Sequence, residues 1–550
     1  VDPMESIQLP SMNHLYNDRT LFVTGASGLL GKVMIEKMLY SLPSIKRIYI
    51  LVRASKGKSA AERWKDIENS VLFNRIRREC PDRLMKVVPF EGDVSLPNLG
   101  ISQEDLKRLL EETSMVFHCA ATVRFDEPLK RAVEVNVNGV SRVLSLCNRM
   151  PKLESLLHCS TCFSNSDRRG TIIEEKIYTQ PCDPRKLMEA KEWMTDAVYE
   201  SIGEGACKTF GNTYCFTKRL AEHLVMNEAA NLPALIFRPA IVSGVWKDGI
   251  PGWCDVFQGI STFLTTMGTG VLTRVPFGLD ARLDMIPVDI VSSAMIVCAA
   301  YRINLQSKSI PIIHCNTGTV NPAIFKRIRS PSLEVAFKYP FIQTMGTPVF
   351  SHMGDDRLEK TMHQIREKYL GPFIDNFLML FGKKPFYGRL YGRVSEAYHI
   401  FARFLTGYSF KMENLILLLN MMTDEDKEIF EFDVRKIDWN NYCADIWFGV
   451  KVFLMKDDIV NRSNVALARR NIMLHQTKDF ITTFLLCFFG CFAITGSATT
   501  WQLFVPLTLI IHYYFSVPSY KARMRPSIET YKKRVESAAG ESIESLQRKK

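Results

Sequence analysis

Tyr214 and Lys218 stand four residues apart in the run Thr213-Tyr214-Cys215-Phe216-Thr217-Lys218, inside a helical pattern. That spacing sets both side chains on one helix face, one turn apart. A phenol with its ordinary pKa of about 10 is a poor acid–base catalyst at neutral pH, and an ammonium beside it favours the phenolate and lowers that value. The same ammonium can hold a ribose. Tyr-x-x-x-Lys arises by chance on many helices, so its weight comes from its company. A strand ending Cys159-Ser160-Thr161 offers a hydroxyl, on Ser160 or on Thr161, able to hydrogen-bond a substrate carbonyl. Upstream, Leu21-Phe22-Val23-Thr24 runs into Gly25-Ala26-Ser27-Gly28-Leu29-Leu30-Gly31-Lys32. Glycines at intervals of three, between a strand and a helix, permit a tight turn and close approach of backbone to a pyrophosphate at the helix N-terminus. Hydride transfer from a dinucleotide is the chemistry these features share.

The second strand selects the dinucleotide. A carboxylate at its end would bind a ribose 2′-hydroxyl, but Arg47-Ile48-Tyr49-Ile50-Leu51-Val52 ends on Arg53, with Lys56 and Lys58 following. A guanidinium suits a 2′-phosphate, so NADPH is the expected cofactor. After the third strand, Gly92-Asp93-Val94 places a carboxylate where it can take an adenine amino group; an Asp there is also a common turn former.

These residues need a scaffold that brings strand ends together. Between residues 20 and 240, short β-branched strands alternate with helical patterns, which predicts an α/β fold of the Rossmann type with a doubly wound parallel sheet. The strands expected are Leu21–Thr24, Arg47–Val52, Lys86–Phe90, Met115–His118, Ser155–Cys159 and Ala234–Phe237, with helices starting near Leu29, Leu129 and Thr213. Residues 1–18 read as an N-terminal tail, and 19–335 as the reductase domain, of which 241 to about 330 is a substrate-shaping extension. Residues 355–458 read as a smaller, mainly helical domain.

The 47% hydrophobic and 23% charged residues of this 550-residue chain exclude a disordered protein and leave ample material for a core. Its formal charge of +12 fits an anionic partner, but no basic stripe with interleaved aromatics points to nucleic acid. Fourteen scattered cysteines with one C-x-x-C, at Cys159 and Cys162, suggest a reducing compartment, and no metal site is expected. The cysteines near the proposed site read as small hydrophobes rather than nucleophiles, and His118 as a structural residue at a strand end. Between Asp479 and Lys521 there is no charged residue. This stretch, 480–517, is nearly twice the ~20 apolar residues of one membrane span, and Gly496-Ser497-Ala498-Thr499-Thr500 divides it. Basic flanks on both sides (Arg469, Arg470 and Lys478 before; Lys521, Arg523 and Arg525 after) favour a hairpin with both flanks cytosolic over a single span. A buried helical pair is the bland alternative, and 518–550 reads as a basic polar tail.

The motifs resemble the extended short-chain dehydrogenase/reductases and, within them, the alcohol-forming fatty acyl-CoA reductases, especially membrane-bound insect-type members. Thr24 to Lys32 is similar to the family's T-G-A-T-G-F-L-G-K; His118-Cys119-Ala120-Ala121-Thr122-Val123-Arg124-Phe125 to its H-x-A-A-x-V-x-F; and Arg238-Pro239 with Pro251-Gly252-Trp253 to its R-P…P-G-W. Asn136-Val137-Asn138-Gly139, Tyr214 to Glu222, Ile286-Pro287-Val288-Asp289 and the region around Asp438-Trp439-Asn440-Asn441-Tyr442 also fit, so the likeness covers about residues 18 to 460. Ser292 and Ser293 depart from it, standing where an Asn is expected.

The resemblance implies cofactor contacts at Thr24, Gly25, Ser27, Gly28, Leu29, Leu30, Gly31, Arg53, Asp93, Val94, Ala120, Ala121, Asn136, Tyr214, Lys218, Arg238 and Pro239, and catalysis by Tyr214, Lys218 and Thr161 or Ser160. It implies reduction of a long-chain acyl-CoA to an alcohol through an aldehyde, with two NADPH, at a lipid membrane. That membrane is expected to be the endoplasmic reticulum with the catalytic domain cytosolic, or else the peroxisome. Two rival readings are a membrane-bound sterol or 3β-hydroxysteroid dehydrogenase and a non-catalytic dinucleotide-binding scaffold. The Arg-Pro…Pro-Gly-Trp block argues against the first, and the intact Tyr214 and Lys218 against the second.

Overall fold

The computed structural model describes residues 8–257, 259–272, 274–275, 277–305, 307–348, 351–352, 407–457, 462–495 and 527–548, with scattered positions between 372 and 404 and between 505 and 509. Seven parallel strands form the central sheet: β1 (Thr20–Thr24), β2 (Arg47–Val52), β3 (Val87–Glu91), β4 (Met115–His118), β5 (Ser155–Cys159), β6 (Ala234–Pro239) and β7 (Ile312–Cys315). Their order is β7-β6-β5-β4-β1-β2-β3. The order reverses between β1 and β4, and in such sheets a crevice opens at that point beyond the carboxyl ends of the strands. Register brings Thr24 beside His118 and His118 beside His158, so the residues that follow β1, β4 and β5 share one rim.

Alternation along the strands builds two cores. Leu21, Val23, Ile48 and Ile50 join the apolar cluster on one face; Phe22, Tyr49 and Leu51 join the other. On the first face α1 (Leu29–Ser41) packs beside α4 (Val288–Asn304). On the second, a helical segment Leu129–Val133 passes through a π turn at Glu134–Asn138 into α2 (Gly139–Cys147), which packs on α3 (Thr213–Glu228). α3 is capped by Asn212, whose side-chain oxygen accepts from the Cys215 N–H at 2.8 Å. α5 (Phe325–Lys338) packs against α6 (Trp439–Gly449), where the Trp447 indole donates to the Tyr339 carbonyl at 3.0 Å.

Several expectations need correction. β7 was not expected as a separate strand. Residues 8–18 are not a loose tail, because Leu9, Met12, Leu15 and Tyr16 are buried and the Tyr16 hydroxyl donates to the Ile296 carbonyl of α4 at 2.8 Å. The C-terminal part of the chain shares the first domain's core: Ser409–Phe410 pairs with Ile172–Ile173, and Tyr442 of α6 donates to the Gly244 carbonyl at 2.7 Å. The 518–550 tail is folded from Ile528, as α8 (Ile528–Ala539) and α9 (Ile543–Arg548), because Tyr531, Val535 and Ala539 recur every fourth residue and present one apolar face to the core. α7 (Arg462–Thr495) carries the chain into the charge-free stretch, of which residues 496–504, 507 and 510–517 lie outside the described residues. Among the described residues, no helix is long and apolar enough to cross a membrane.

Candidate active site

The turn after β1 is a cradle that admits only glycine at two positions. Gly25 has φ +77°, and a Cβ there would meet the Cys119 carbonyl carbon at 2.7 Å and the Ala120 nitrogen at 2.8 Å. A Cβ on Gly31 would run into the Gly25 carbonyl. The backbone thus stays close on both sides of the crevice, and α1 begins at Gly28 without a side-chain cap. Uncapped N–H groups at a helix N-terminus and a glycine-lined approach suit a pyrophosphate. Gly28, Ser27 and Leu30 keep accessible surface at this turn; Leu29 belongs to the core. Thr24 is fully buried, with its hydroxyl 2.8 Å from His118 Nδ1 and accepting from the Ala120 N–H at 3.2 Å, so it ties the ends of β1 and β4 together.

Arg53 and Asp93 meet across the tips of β2 and β3, 3.6 Å apart, with Arg53 largely exposed. Burial works against the charge of Asp93, but donors from Ser95 and the nearby Arg53 and Arg131 outweigh it and hold the carboxyl below its usual range. Val94 is buried beside Gly139. Ala120 and Ala121 line the exit of β4, and Asn136 braces that exit. The Asn136 oxygen accepts from the Thr122 N–H at 2.9 Å and its amide donates to Thr217 Oγ1 of α3 at 3.0 Å. Asn136 sits in the π turn, an irregularity that often marks functional positions.

At the other end, α3 faces the exit of β5. Lys218 is buried and donates to the Cys159 carbonyl at 2.7 Å. Burial, only partly offset by neighbouring thiols and Glu222, lowers its pKa. The Tyr214 phenol is hydrogen-bonded to Thr161, and burial raises its pKa well above the phenol range. The expected depression by Lys218 is therefore not found: the ammonium is committed to a carbonyl, and desolvation dominates at Tyr214. A phenol held neutral is in the correct state to donate a proton.

The structure separates the two hydroxyls. Thr161 Oγ1 caps the following turn by accepting from the Phe163 N–H at 3.2 Å, and it bonds Tyr214. Ser160 Oγ turns the other way, donating to Glu222 Oε1 at 2.5 Å. Glu222 also accepts from Ser164 at 3.0 Å and from Arg238 at 2.8 and 2.7 Å. Arg238 is fully buried, and it also donates to His314 at 3.1 Å and to the Lys176 carbonyl at 3.1 Å. Its guanidinium is turned to these protein partners and has no exposed surface. Pro239 lends its carbonyl to Thr161 at 3.4 Å. His118 and His158 lie with ring centroids 5.5 Å apart beneath the rim. Burial, then Lys218, pushes His118 down to about 3 and His158 well below its usual value, so both are neutral and unsuited to act as bases. Sequence reasoning missed Glu222 as a working residue, although it stands one turn beyond Lys218 on the same face. It also missed an aromatic wall beside Tyr214: Phe125 lies 6.0 Å from the Tyr214 ring and 5.8 Å from Phe404, and Phe163 lies 5.5 Å from Phe404.

A doubly wound parallel sheet, a glycine cradle at its switch point and a Tyr-x-x-x-Lys helix facing a hydroxyl-bearing strand end define a Rossmann-type reductase of the short-chain dehydrogenase class. Solved structures share the fold. They include the terminal R domain of a myxalamid biosynthetic pathway (TM-score 0.52, 20% identity, 79% of this chain and 91% of that one) and the reductase domain of a non-ribosomal peptide synthetase from Mycobacterium tuberculosis (TM-score 0.53, 19% identity, 82% and 96%). Two family models, both described as "Male sterility protein", match residues 23–295 and 368–457. Fatty acyl-CoA reductase 2 of Mus musculus is 34% identical over 445 residues, covering 81% of this chain and 86% of that protein. Fatty acyl-CoA reductase 1 of Homo sapiens is 32% identical over 464 residues, covering 84% and 89%. The chain belongs to the fatty acyl-CoA reductase family.

Proposed function

We propose that this enzyme reduces long-chain fatty acyl-CoA to the primary alcohol, through an aldehyde, with two equivalents of NADPH and release of CoA. The observation that carries the reading is the Thr161–Tyr214–Lys218 set at the open end of the glycine cradle. NADPH fits the residues present. The cradle and the uncapped start of α1 would take the pyrophosphate, Arg53 the 2′-phosphate, Asp93 the adenine, and Lys218 the nicotinamide ribose. The bound dinucleotide supplies the hydride in each half of the reaction.

Thr161 and Tyr214 hold the thioester oxygen between two hydroxyl donors, and the neutral Tyr214 gives that oxygen its proton as the carbonyl carbon is reduced. The thiohemiacetal so formed breaks its carbon–sulfur bond. The hydroxyl proton leaves as the aldehyde forms, and the thiolate is protonated to CoA. The same two hydroxyls then hold the aldehyde oxygen, and Tyr214 donates again to give the alcohol. Two hydrides and two protons are consumed per thioester. The ring wall of Phe125, Phe163 and Phe404 gives the alkyl chain an apolar surface next to the reacting carbon. The charge-free stretch after Asp479 supports attachment to a membrane, which suits a product nearly insoluble in water; the family resemblance favours the endoplasmic reticulum, with the catalytic domain cytosolic, over the peroxisome. The test is NADPH oxidation by the detergent-solubilised full chain given palmitoyl-CoA, with products extracted. Hexadecanol at two NADPH per CoA released, lost in Tyr214→Phe, is expected. Unchanged turnover in Tyr214→Phe would overturn the assignment of the acid, and the absence of any acyl-CoA-dependent oxidation would overturn the function.

A further inference from the structure

The chain on either side of the charge-free stretch is anchored to one block of the protein. Before it, α7 is fastened to the turn that follows α5: Arg469 donates to the Lys338 carbonyl at 2.8 Å, Asn471 to the Ile342 carbonyl at 3.2 Å and His475 to the Thr344 carbonyl at 3.2 Å. Ala468 and Ile472 are buried under these contacts. After the stretch, α8 and α9 dock on the Pro251 loop, α6 and the segment that ends at Asp457. Tyr531 donates to the Pro251 carbonyl at 3.1 Å, Arg534 to Asp445 of α6 at 2.9 Å, and Asn74 to the Ala539 carbonyl at 3.2 Å. Tyr531, Val535, Ala539, Ile543 and Leu546 are all buried. The two attachments meet at one residue: the Asp457 carboxylate accepts from the Ile342 N–H at 3.0 Å, and its carbonyl accepts from Gln547 of α9.

Beyond its anchored turns, α7 turns an apolar stripe outward. Leu474, Ile481, Leu485 and Phe489 are 60%, 51%, 44% and 61% exposed, at intervals of seven, four and four residues, which is one helix face. The stripe runs into the uncharged residues that follow Asp479, with Arg469, Arg470 and Lys478 at its near end. Continuity with that stretch and a basic margin identify the occupant of this face as a lipid bilayer.

We infer that the two flanks of the charge-free stretch, up to Lys478 and from Ser527, lie on the same side of the membrane, clasped to the block formed by α5 and α6. A single crossing would set the flanks apart by a layer about 40–45 Å thick, and α8 and α9 could not then reach Pro251, Asp445 and Asp457. The clasp also has a consequence for the site. The Pro251-Gly252-Trp253 loop lies between α6 and α8, and a Cβ on Gly252 would strike the Asp445 carbonyl, so the chain returning from the membrane secures a loop of the reductase domain.

The inference rests on the membrane attachment proposed above, and one experiment separates the two. The full chain carries an epitope tag after Lys550, with an N-glycosylation acceptor in the tag, and is expressed into sealed microsomes. Recovery in the carbonate-washed membrane pellet reads attachment; removal of the tag by added protease and the absence of a glycan read sidedness. The expected result is a pelleted, unglycosylated protein whose tag is lost to protease without detergent. A pelleted protein with a protected or glycosylated tag overturns the shared side alone. Recovery in the supernatant overturns membrane attachment, and the inference falls with it.

Discussion

Ser160 and Thr161 are neighbours of similar chemistry, and their opposite orientations predict opposite outcomes on substitution. In Thr161→Ala the hydroxyl that bonds Tyr214, and that on the proposed mechanism also holds the substrate oxygen, is gone. Removing one such donor costs a factor of about 10²–10³ in kcat. The turn it caps, through the Phe163 N–H, loses about 1 kcal/mol. Thr161→Ser keeps the oxygen and should recover most of the rate. In Ser160→Ala the lost bond ends on an ionised carboxylate, a type of bond worth about 1.5–3 kcal/mol. Glu222 retains Ser164 and both Arg238 contacts, so it is not left unpaired and the lower figure applies. The expected result is a lowered melting temperature with kcat within about threefold of the parent, because under 1 kcal/mol of barrier is involved. The assay is single-turnover and steady-state reduction of palmitoyl-CoA at saturating NADPH, with thermal melts of each variant. A Ser160→Ala enzyme slowed more than a hundredfold beside a nearly normal Thr161→Ala enzyme would refute the assignment.

Two further outcomes follow from the charged groups. Arg53→Ala removes charge-assisted bonds worth about 1.5–3 kcal/mol each, so the KM for NADPH should rise by about 10- to 150-fold while that for NADH stays level; equal weakening of both would show that Arg53 does not read the 2′-phosphate. Burial raises Glu175 to about 7 although the His314 and Asn414 N–H groups bond to it. Its folded value lies above its usual 4.5, so its stabilising contribution is complete below pH 4.5 and is lost as pH rises through 7. The interval corresponds to about 3 kcal/mol at most. Asp284, held up to about 6 by burial, adds a slope of the same sign. Melting temperature should fall between pH 5 and pH 8, and Glu175→Gln should flatten that fall; parallel slopes in the two proteins would remove Glu175 as its source.

What could be read in the sequence were features carried by neighbouring residues. β1 to β6 announce themselves as short, largely apolar runs followed by turn residues, and Gly25 and Gly31 as glycines between a strand and a helix. β7 escaped because four residues after a long extension resemble any buried apolar run. Arg238 illustrates a different limit. Beside a proline it looks like a cofactor contact, but its acceptors come from α3, β7 and the Lys176 loop, and no local pattern reports that a guanidinium is already spent. The return of the chain at α8 was legible in principle, since Tyr531, Val535 and Ala539 keep helical spacing. High charge around them and the apolar stretch before them made the segment look like a solvated tail.

Glu222 connects these observations. Tyr214, Lys218 and Glu222 recur every fourth residue, so α3 presents an acid, a cation and a carboxylate on one face. Opposite them the chain leaving β5 offers the Thr161 hydroxyl, the Cys159 carbonyl and the Ser160 hydroxyl, one to each. A helix rises about 1.5 Å per residue, so sliding α3 by a single residue would break all three contacts together. On the proposed mechanism Tyr214 and Lys218 exchange partners with substrate and cofactor during turnover, and neither can fix that register. Glu222 can, because every partner it has is buried and belongs to the protein. On the proposed mechanism the carboxylate would act on catalysis through position, by holding Ser160 turned away from the site and keeping Thr161 opposite the phenol.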